Sequence, residues 1–422
     1  MNAPSTNRGR RTAVHRAAGR GGRWLALFEP LFQKMLDRID RGLETGAVEA
    51  TLPDGRTRLL GGRAPGPVAI VGLASWRALV RLAFDGSAGW YVAWAKGEWT
   101  SPDPVPLFDL FMRNRVPLGA SGRPKGWPRL MRRARHWLRR NDRGGARRNI
   151  AFHYDLGNDF YAAWLDPTLS YSSAIFADPA EPLTDAQLRK MERLAGRLDL
   201  KPGSRVLEIG CGWGALACHM AKEHGAHVTA LTLSPSQRAV AVAAAEAQGV
   251  ADRVSIELTD YRDATGSYDA VASVEMVEAV GRQYWPAYLD AIAARLRPGG
   301  RAAIQYIMIQ DDVFEAYARS VDFIQAYVFP GGMLLSESRF RALAEARGLE
   351  WRDRHGFGLD YAETLRRWRI AFDTAVEEGR LPHEFDRDFV DLWRYYLMYC
   401  EGGFRGGGID VAQVTLVKKG AA

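Results

Sequence analysis

Glu208, Gly210, Gly212 and Gly214, at alternate positions, are the residues of this chain whose type and spacing most directly imply chemistry. They close the apolar run Val206-Leu-Glu-Ile209 and precede an apolar helical pattern that resumes at Ala215. That order predicts a strand, a tight turn and a helix start. A turn stripped of side chains lets a ligand press on the backbone, which suits a nucleotide-like cofactor on a doubly wound sheet.

The E-x-G-x-G-x-G spacing is the one nucleoside-binding methyltransferases use for the amino-acid and ribose end of S-adenosylmethionine, and a dinucleotide dehydrogenase is the rival. After its second strand a dinucleotide enzyme wants an acid for the ribose, and Leu231-Thr-Leu-Ser-Pro-Ser-Gln237 has none at the strand end. Asp260-Tyr-Arg-Asp263 follows the third strand-like run, where Asp260 could bond an adenine amino group and Tyr261 could lie beside the ring. A plain polar loop is the blander reading there. Thr232 and Gln237, taken singly, serve equally well as helix-cap residues.

The elements that must position these residues follow from periodicity. Strand-like runs at 206–210, 228–233, 254–258, 268–274 and 302–309 alternate with helical stretches, and 411–417 would close the sheet. The fold class is α/β: a doubly wound, Rossmann-like class I methyltransferase domain at 150–418, preceded by a small α+β N-terminal domain at 24–120. In the latter, helices are expected at 25–43 and 75–84, and strands at 47–52, 69–71 and the aromatic stretch 90–99. Residues 1–22 read as a disordered basic tail and 121–149 as a basic amphipathic linker helix.

The net charge of +8 is unevenly spread. Residues 123–148 carry eleven Lys and Arg against the single acid Asp142, and the first 24 residues carry six Arg and no acid, which leaves the remainder acidic. In 127–140, Leu130, Met131, Ala134, Trp137 and Leu138 fall at helical spacings with arginines between them. Such a helix suits an anionic membrane surface, with a packed linker helix or nucleic acid as competing readings. No Asn/Asp-Pro-Pro-Tyr/Phe motif accompanies it, so nucleic acid is set aside. Cys211, Cys218 and Cys400 have neither metal-ligand nor disulfide spacing, so no metal is expected and a reducing cytoplasm fits. No run reaches the roughly 18 apolar residues of a membrane span.

Further blocks carry a family resemblance. They include His153-Tyr-Asp-Leu-Gly-Asn-Asp-Phe-Tyr161, Tyr171-Ser-Ser173, Glu275-Met-Val-Glu-Ala-Val-Gly281, Phe329-Pro-Gly-Gly332, Phe357-Gly-Leu-Asp-Tyr361 and Tyr399-Cys-Glu-Gly-Gly-Phe404. Together with the glycine turn, Thr232–Gln237 and Asp260–Asp263, the chain resembles the cyclopropane-fatty-acyl-phospholipid synthase family, which includes the mycolic-acid cyclopropane synthases. The 24–120 region resembles the N-terminal lipid-associated domain of the phospholipid-acting members.

That resemblance implies methyl transfer from S-adenosylmethionine to the double bond of an unsaturated phospholipid acyl chain, a carbocation, and ring closure once a base removes a proton. The base it implies is a bound bicarbonate, held here by Glu278, Tyr361, the Ile307 backbone, and Ser173 and Gln305 at positions where the family has Cys and His. Ser and Gln still bond an anion, but neither titrates near neutrality. That departure opens an alternative, a methyl-branched or methylene product instead of a cyclopropane. The implied cofactor residues are Tyr171, Ser172, Gly210, Gly212, Thr232, Leu233, Gln237, Asp260 and Tyr261. Trp213 is expected to pack under the turn. A cytoplasmic enzyme, peripheral at the inner face of the cell membrane and compatible with a homodimer, completes the expectation.

Overall fold

The computed structural model describes residues 28–119 and 156–420. The expected basic tail, the basic linker helix, and His153, Tyr154 and Asp155 lie outside the described residues.

The N-terminal part is built on a four-stranded sheet of order β2-β1-β3-β4, formed by β1 (Ala47–Thr51), β2 (Thr57–Gly61), β3 (Val68–Leu73) and β4 (Trp99–Thr100). Helix Glu29–Gly42 buries Phe32, Leu36 and Ile39, one stripe at helical spacing. Asp40 fastens it to β2 by accepting from the Gly61 backbone N–H at 2.7 Å.

The stretch 90–99 departs from expectation. Helix Arg77–Ala95 runs through Trp90 and Ala93, bent at Gly86 (φ 60°), and only Trp99–Thr100 is strand. Aromatic residues favour strands only where packing agrees. Here Leu82, Trp90 and Ala93 bury along the helix, and Trp90 stacks on Trp99 at 4.5 Å.

The larger sheet has seven strands in the order β10-β11-β9-β8-β5-β6-β7. They are β5 (Arg205–Ile209), β6 (His227–Thr232), β7 (Val254–Leu258), β8 (Tyr268–Val274), β9 (Leu296–Ile309), β10 (Leu349–Gly356) and β11 (Ile409–Lys418). The strands β7, β6, β5, β8 and β9 run parallel, and β11 returns antiparallel between β9 and β10. Parallel strands covered on both faces must be apolar throughout, and Val206, Leu207 and Ile209 are almost fully buried. Strand β10 has no clear sequence signal because Arg352, Asp353 and Arg354 cut short the apolar alternation begun at Leu349 and Trp351.

The two sheets are joined through glycine. Helix Arg387–Arg405 lies on helix Val105–Arg113 so closely that a Cβ at Gly402 would stand 2.4 Å from Phe108 Cβ and 2.7 Å from the Val105 carbonyl oxygen. A Cβ at Gly406 would stand 2.5 Å from the Asp109 carbonyl oxygen. Phe323 N–H donates to Ser87 Oγ at 3.1 Å nearby, and Arg115 pairs with Asp312 at 3.2 Å. Gly402→Ala is therefore expected to cost about 1–3 kcal/mol by overpacking, measured by denaturant unfolding. An unchanged midpoint would contradict the backbone contact.

Candidate active site

The glycine turn follows β5 with Gly210, Gly212 and Gly214 all at positive φ, at 82°, 53° and 88°. The space beside them differs. A Cβ at Gly214 would meet Ala241 Cβ at 2.9 Å, whereas one at Gly212 would project into open space. The N–H groups of Gly210 and Cys211 both donate to the Leu231 carbonyl, at 3.1 and 2.9 Å, pinning the turn to the end of β6. Trp213 packs against Tyr161 at 5.1 Å between ring centroids and donates to Asn158 Oδ1 at 2.8 Å, as expected of a residue under the turn.

All nine residues expected at the cofactor line one cavity of about 750 Å³. Tyr171 is held by its phenol, 2.8 Å from that of Tyr396. Thr232 Oγ1 donates to Gln237 Oε1 at 3.1 Å, and Ser234 Oγ caps the helix Pro235–Ala247 by accepting from the Gln237 N–H. Both carboxylate oxygens of Asp260 accept from the Arg262 guanidinium, and Tyr261 meets Tyr288 edge-on.

Two buried atoms on this wall have no hydrogen-bond partner among the described residues: Gln237 Nε2 and Glu208 Oε2. One is a donor, the other part of a carboxyl group at the turn. Orphaned polar atoms beside a glycine-lined hollow fit a ligand bearing an amino acid and a ribose. Glu208 is a residue the sequence reading used only as a motif letter, although its place before the glycines was signal enough.

The second cluster begins at Glu275, the first residue past β8, the strand beside the one that leads into the glycine turn. Glu275 adopts φ 48° and extends its carboxylate into three donors. Oε1 accepts from the Ser173 backbone N–H at 3.0 Å and from Gln305 Nε2 at 2.8 Å; Oε2 accepts from the Tyr361 phenol at 2.7 Å. Gln305 is set in turn by Gln413 Nε2, which donates to its Oε1 at 3.1 Å. Glu278, in the turn Val277–Ala279, accepts from the Ile307 N–H through Oε1, while its Oε2 is buried without a partner among the described residues.

The five residues expected around a base thus gather in one place, but not all on the same surface. Glu278, Ile307 and Tyr361 line the cavity together with Glu275; Ser173 and Gln305 do not. Both are fully buried behind Glu275. The Ser173 hydroxyl, expected to face an anion, donates instead to the Ala174 carbonyl at 2.9 Å. Glu275 is not among the residues the sequence singles out, where Glu278 is the acid of that block. Its spacing from Tyr361 and Gln305 has no sequence signature.

A buried lysine completes the electrostatics. Lys190 donates to Ser172 Oγ at 2.7 Å and lies near Glu275, Asp166 and Glu208; burial pulls its pKa down to about 8. Burial lifts Glu275 above the ordinary carboxylate range, with Tyr361, Gln305, Ser173 and Lys190 all pulling the other way. Glu278 has no such set of partners, and burial with the nearby Glu275 charge pushes it up to about 8. Glu192, His219 and His224 form a separate group on the outside of the fold, both imidazoles within 3.0 Å of the Glu192 carboxylate.

Glu278 binds a proton in the folded chain between pH 4.5 and about 8, where the unfolded chain has released it. Its contribution therefore favours folding below that window and is lost as pH rises through it. Glu278→Gln keeps an acceptor for Ile307 and does not titrate. Its unfolding free energy relative to the parent is expected to rise across that window, on the order of a few kcal/mol in total, in denaturant titrations at stepped pH. A pH-independent difference would contradict the raised pKa.

The family model described as mycolic acid cyclopropane synthetase matches residues 141–414. The tuberculostearic acid methyltransferase UfaA1 of Mycobacterium tuberculosis is 40% identical over 359 residues, 81% of each chain. The cyclopropane-fatty-acyl-phospholipid synthase of Escherichia coli K12 is 36% identical over 264 residues, covering 62% of this chain and 66% of its own. Among solved structures, mycolic acid cyclopropane synthase CmaA1 complexed with SAH and CTAB superposes with a TM-score of 0.61 at 28% identity, over 64% of this chain and 98% of the other. A glycine turn with orphaned polar atoms, opening on a cavity that also holds an acid cluster, is thus found in a chain that belongs to the mycolic acid cyclopropane synthetase family of S-adenosylmethionine-dependent lipid methyltransferases.

Proposed function

We propose that this chain methylates the double bond of unsaturated acyl chains in membrane phospholipids and yields a methyl-branched or methylene chain. The observation that carries the acyl substrate is the continuity of the cavity. It runs without interruption from the glycine turn past Glu275 and Glu278 to an apolar wall. Part of that wall, with Ile324, Phe329 and Met333, comes from the stretch 323–335; the rest, with Leu82, Trp90 and Phe108, comes from the N-terminal sheet domain. An apolar pocket with a few convergent polar groups suits a long alkyl chain carrying one reactive site.

S-adenosylmethionine, when bound, supplies an electrophilic methyl group. The residues proposed to hold it are Gly210, Gly212, Thr232, Leu233, Gln237, Asp260 and Tyr261, with Tyr171 and Ser172 closing over it. Glu208 and Gln237 offer the orphaned atoms that its amino and hydroxyl groups would satisfy. The chain's own contribution is position and exclusion. The alkene is a weak nucleophile, so the apolar wall must hold it in line with the methyl group and keep water from the cation that results. Glu275, Glu278, Tyr361 and the Ile307 backbone supply polar groups on that side of the cavity.

The likeness to UfaA1 supports an open-chain product, because it extends over 81% of this chain and includes more than the region matched by the family model. Cyclopropane formation is the second reading, supported by the likeness to the Escherichia coli synthase and by the CmaA1 structure. The basic segments at 1–22 and 123–148 would seat the protein on anionic headgroups at the inner face of the membrane.

Expression in a host rich in monounsaturated phospholipids, followed by mass spectrometry of fatty acid methyl esters, is expected to show chains heavier by one methylene that keep an alkene, either as a methylene group or beside a methyl branch. A saturated ring of the same mass would favour the cyclopropane reading, and no mass change would sink both. Pelleting with phosphatidylglycerol vesicles is expected to exceed that with phosphatidylcholine and to weaken as salt rises. Binding indifferent to lipid charge and salt would remove the basic segments from the account.

A further inference from the structure

Glu275 holds a conformation that its residue type does not favour. It is one of four non-glycine residues with positive φ among those described, at 48°. Glycine adopts that region without strain and glutamate does not. The backbone is nonetheless fixed there, with the Glu275 N–H donating to the Gln305 carbonyl at 2.8 Å. What this geometry achieves is the placement of a carboxylate on the cavity wall, where three donors from three separate segments converge on it.

Those donors belong to the set expected to hold bicarbonate. In this chain each is engaged internally: the Ser173 N–H, the Gln305 amide and the Tyr361 phenol on Glu275, the Ser173 hydroxyl on Ala174, and the Ile307 N–H on Glu278. A bicarbonate ion would bring a second negative charge against Glu275 with none of these donors left to compensate it. Bicarbonate does not fit this pocket. A carboxylate has the same planar pair of acceptor oxygens, and it is already in place.

We infer that the Glu275 carboxylate stands where the family resemblance implies bicarbonate, and is itself the base that receives the proton released after methyl transfer. The inference rests on the acyl-chain methylation proposed above. The alkene π pair forms the new C–C bond as the methyl–sulfur bond breaks, the sulfur keeps that pair in S-adenosylhomocysteine, and the neighbouring carbon becomes a cation. A C–H bond of the new methyl group then breaks. Its pair closes a ring or, after a hydride shift on the chain, forms an exocyclic alkene, and the proton passes to Glu275. Three of the roughly four lone-pair positions of the carboxylate are used by its donors, which leaves one on Oε2 to take that proton. Ser173, Gln305 and Tyr361 are positioning residues for the base.

The test uses the full chain with phosphatidylglycerol vesicles bearing oleoyl chains, in degassed carbonate-depleted buffer, with and without added sodium bicarbonate. Methylated chains and released S-adenosylhomocysteine are the readouts. The parent protein is expected to turn over equally in both buffers. Glu275→Gly, whose backbone glycine suits, is expected to keep S-adenosylmethionine affinity by calorimetry and to lose at least about 100-fold in turnover, the range of one general base. Sodium bicarbonate or formate is expected to restore part of it by filling the vacated cage. A parent protein that slows on carbonate depletion and recovers with bicarbonate would overturn the inference, as would undiminished turnover of Glu275→Gly in depleted buffer. A parent protein that produces no methylated chain at all would overturn the acyl-chain reading, and this inference with it.

Discussion

A carboxylate withdrawn from bulk water is costly unless its charge is met by donors, and the Glu275 carboxylate is met by donors from three places in the chain. Ser173 comes from the loop ahead of helix Leu183–Gly196, Gln305 from β9, and Tyr361 from the first turns of helix Gly358–Glu377. Any displacement of one segment relative to the others would leave a buried charge undercompensated. The carboxylate therefore acts as a register pin between the sheet and the helical layer that covers the cavity. Gln413 on β11 extends the same network by fixing the amide of Gln305.

The same region concentrates buried charge. Lys190, Glu208, Glu275 and Glu278 all border one cavity, and burial shifts each away from its ordinary pKa. Such shifts accompany functional sites more often than structural ones, although structural networks produce them too. Here the two acids differ in how their charge is met. Glu275 has three donors supporting its ionised form, whereas Glu278 has one and an orphaned oxygen. Two carboxylates three positions apart are thereby given unlike protonation behaviour, by the principle that environment sets role.

The cavity also depends on a contact far from its polar end. Helix Arg387–Arg405 can lie flat against helix Val105–Arg113 only because Gly402 and Gly406 carry no side chains at the crossing. On the same long helix, buried Glu401 accepts from Arg369 and Arg405, tying it to its neighbour Gly358–Glu377. Through that docking, Leu82, Trp90 and Phe108 become part of the apolar wall. Without it the hollow would open to water on one side, and an acyl chain would have nothing to pack against.

How much of this was legible beforehand depends on the range of the interaction. The parallel strands and the glycine turn could be read in the chain, because each follows from local periodicity or from a turn that tolerates only glycine. Strand β10 and the helical identity of 90–95 could not, since burial on one face overrode local charge and aromatic preference. The acid cluster divides in the same way. Sequence alone, through the family resemblance, pointed to Ser173, Glu278, Gln305, Ile307 and Tyr361 as one set. Only the tertiary structure decided that Glu275 stands in front of Ser173 and Gln305 and takes their hydrogen bonds. That outcome turns on a backbone angle at the end of β8 and on residues up to 102 positions apart, and no local pattern encodes either.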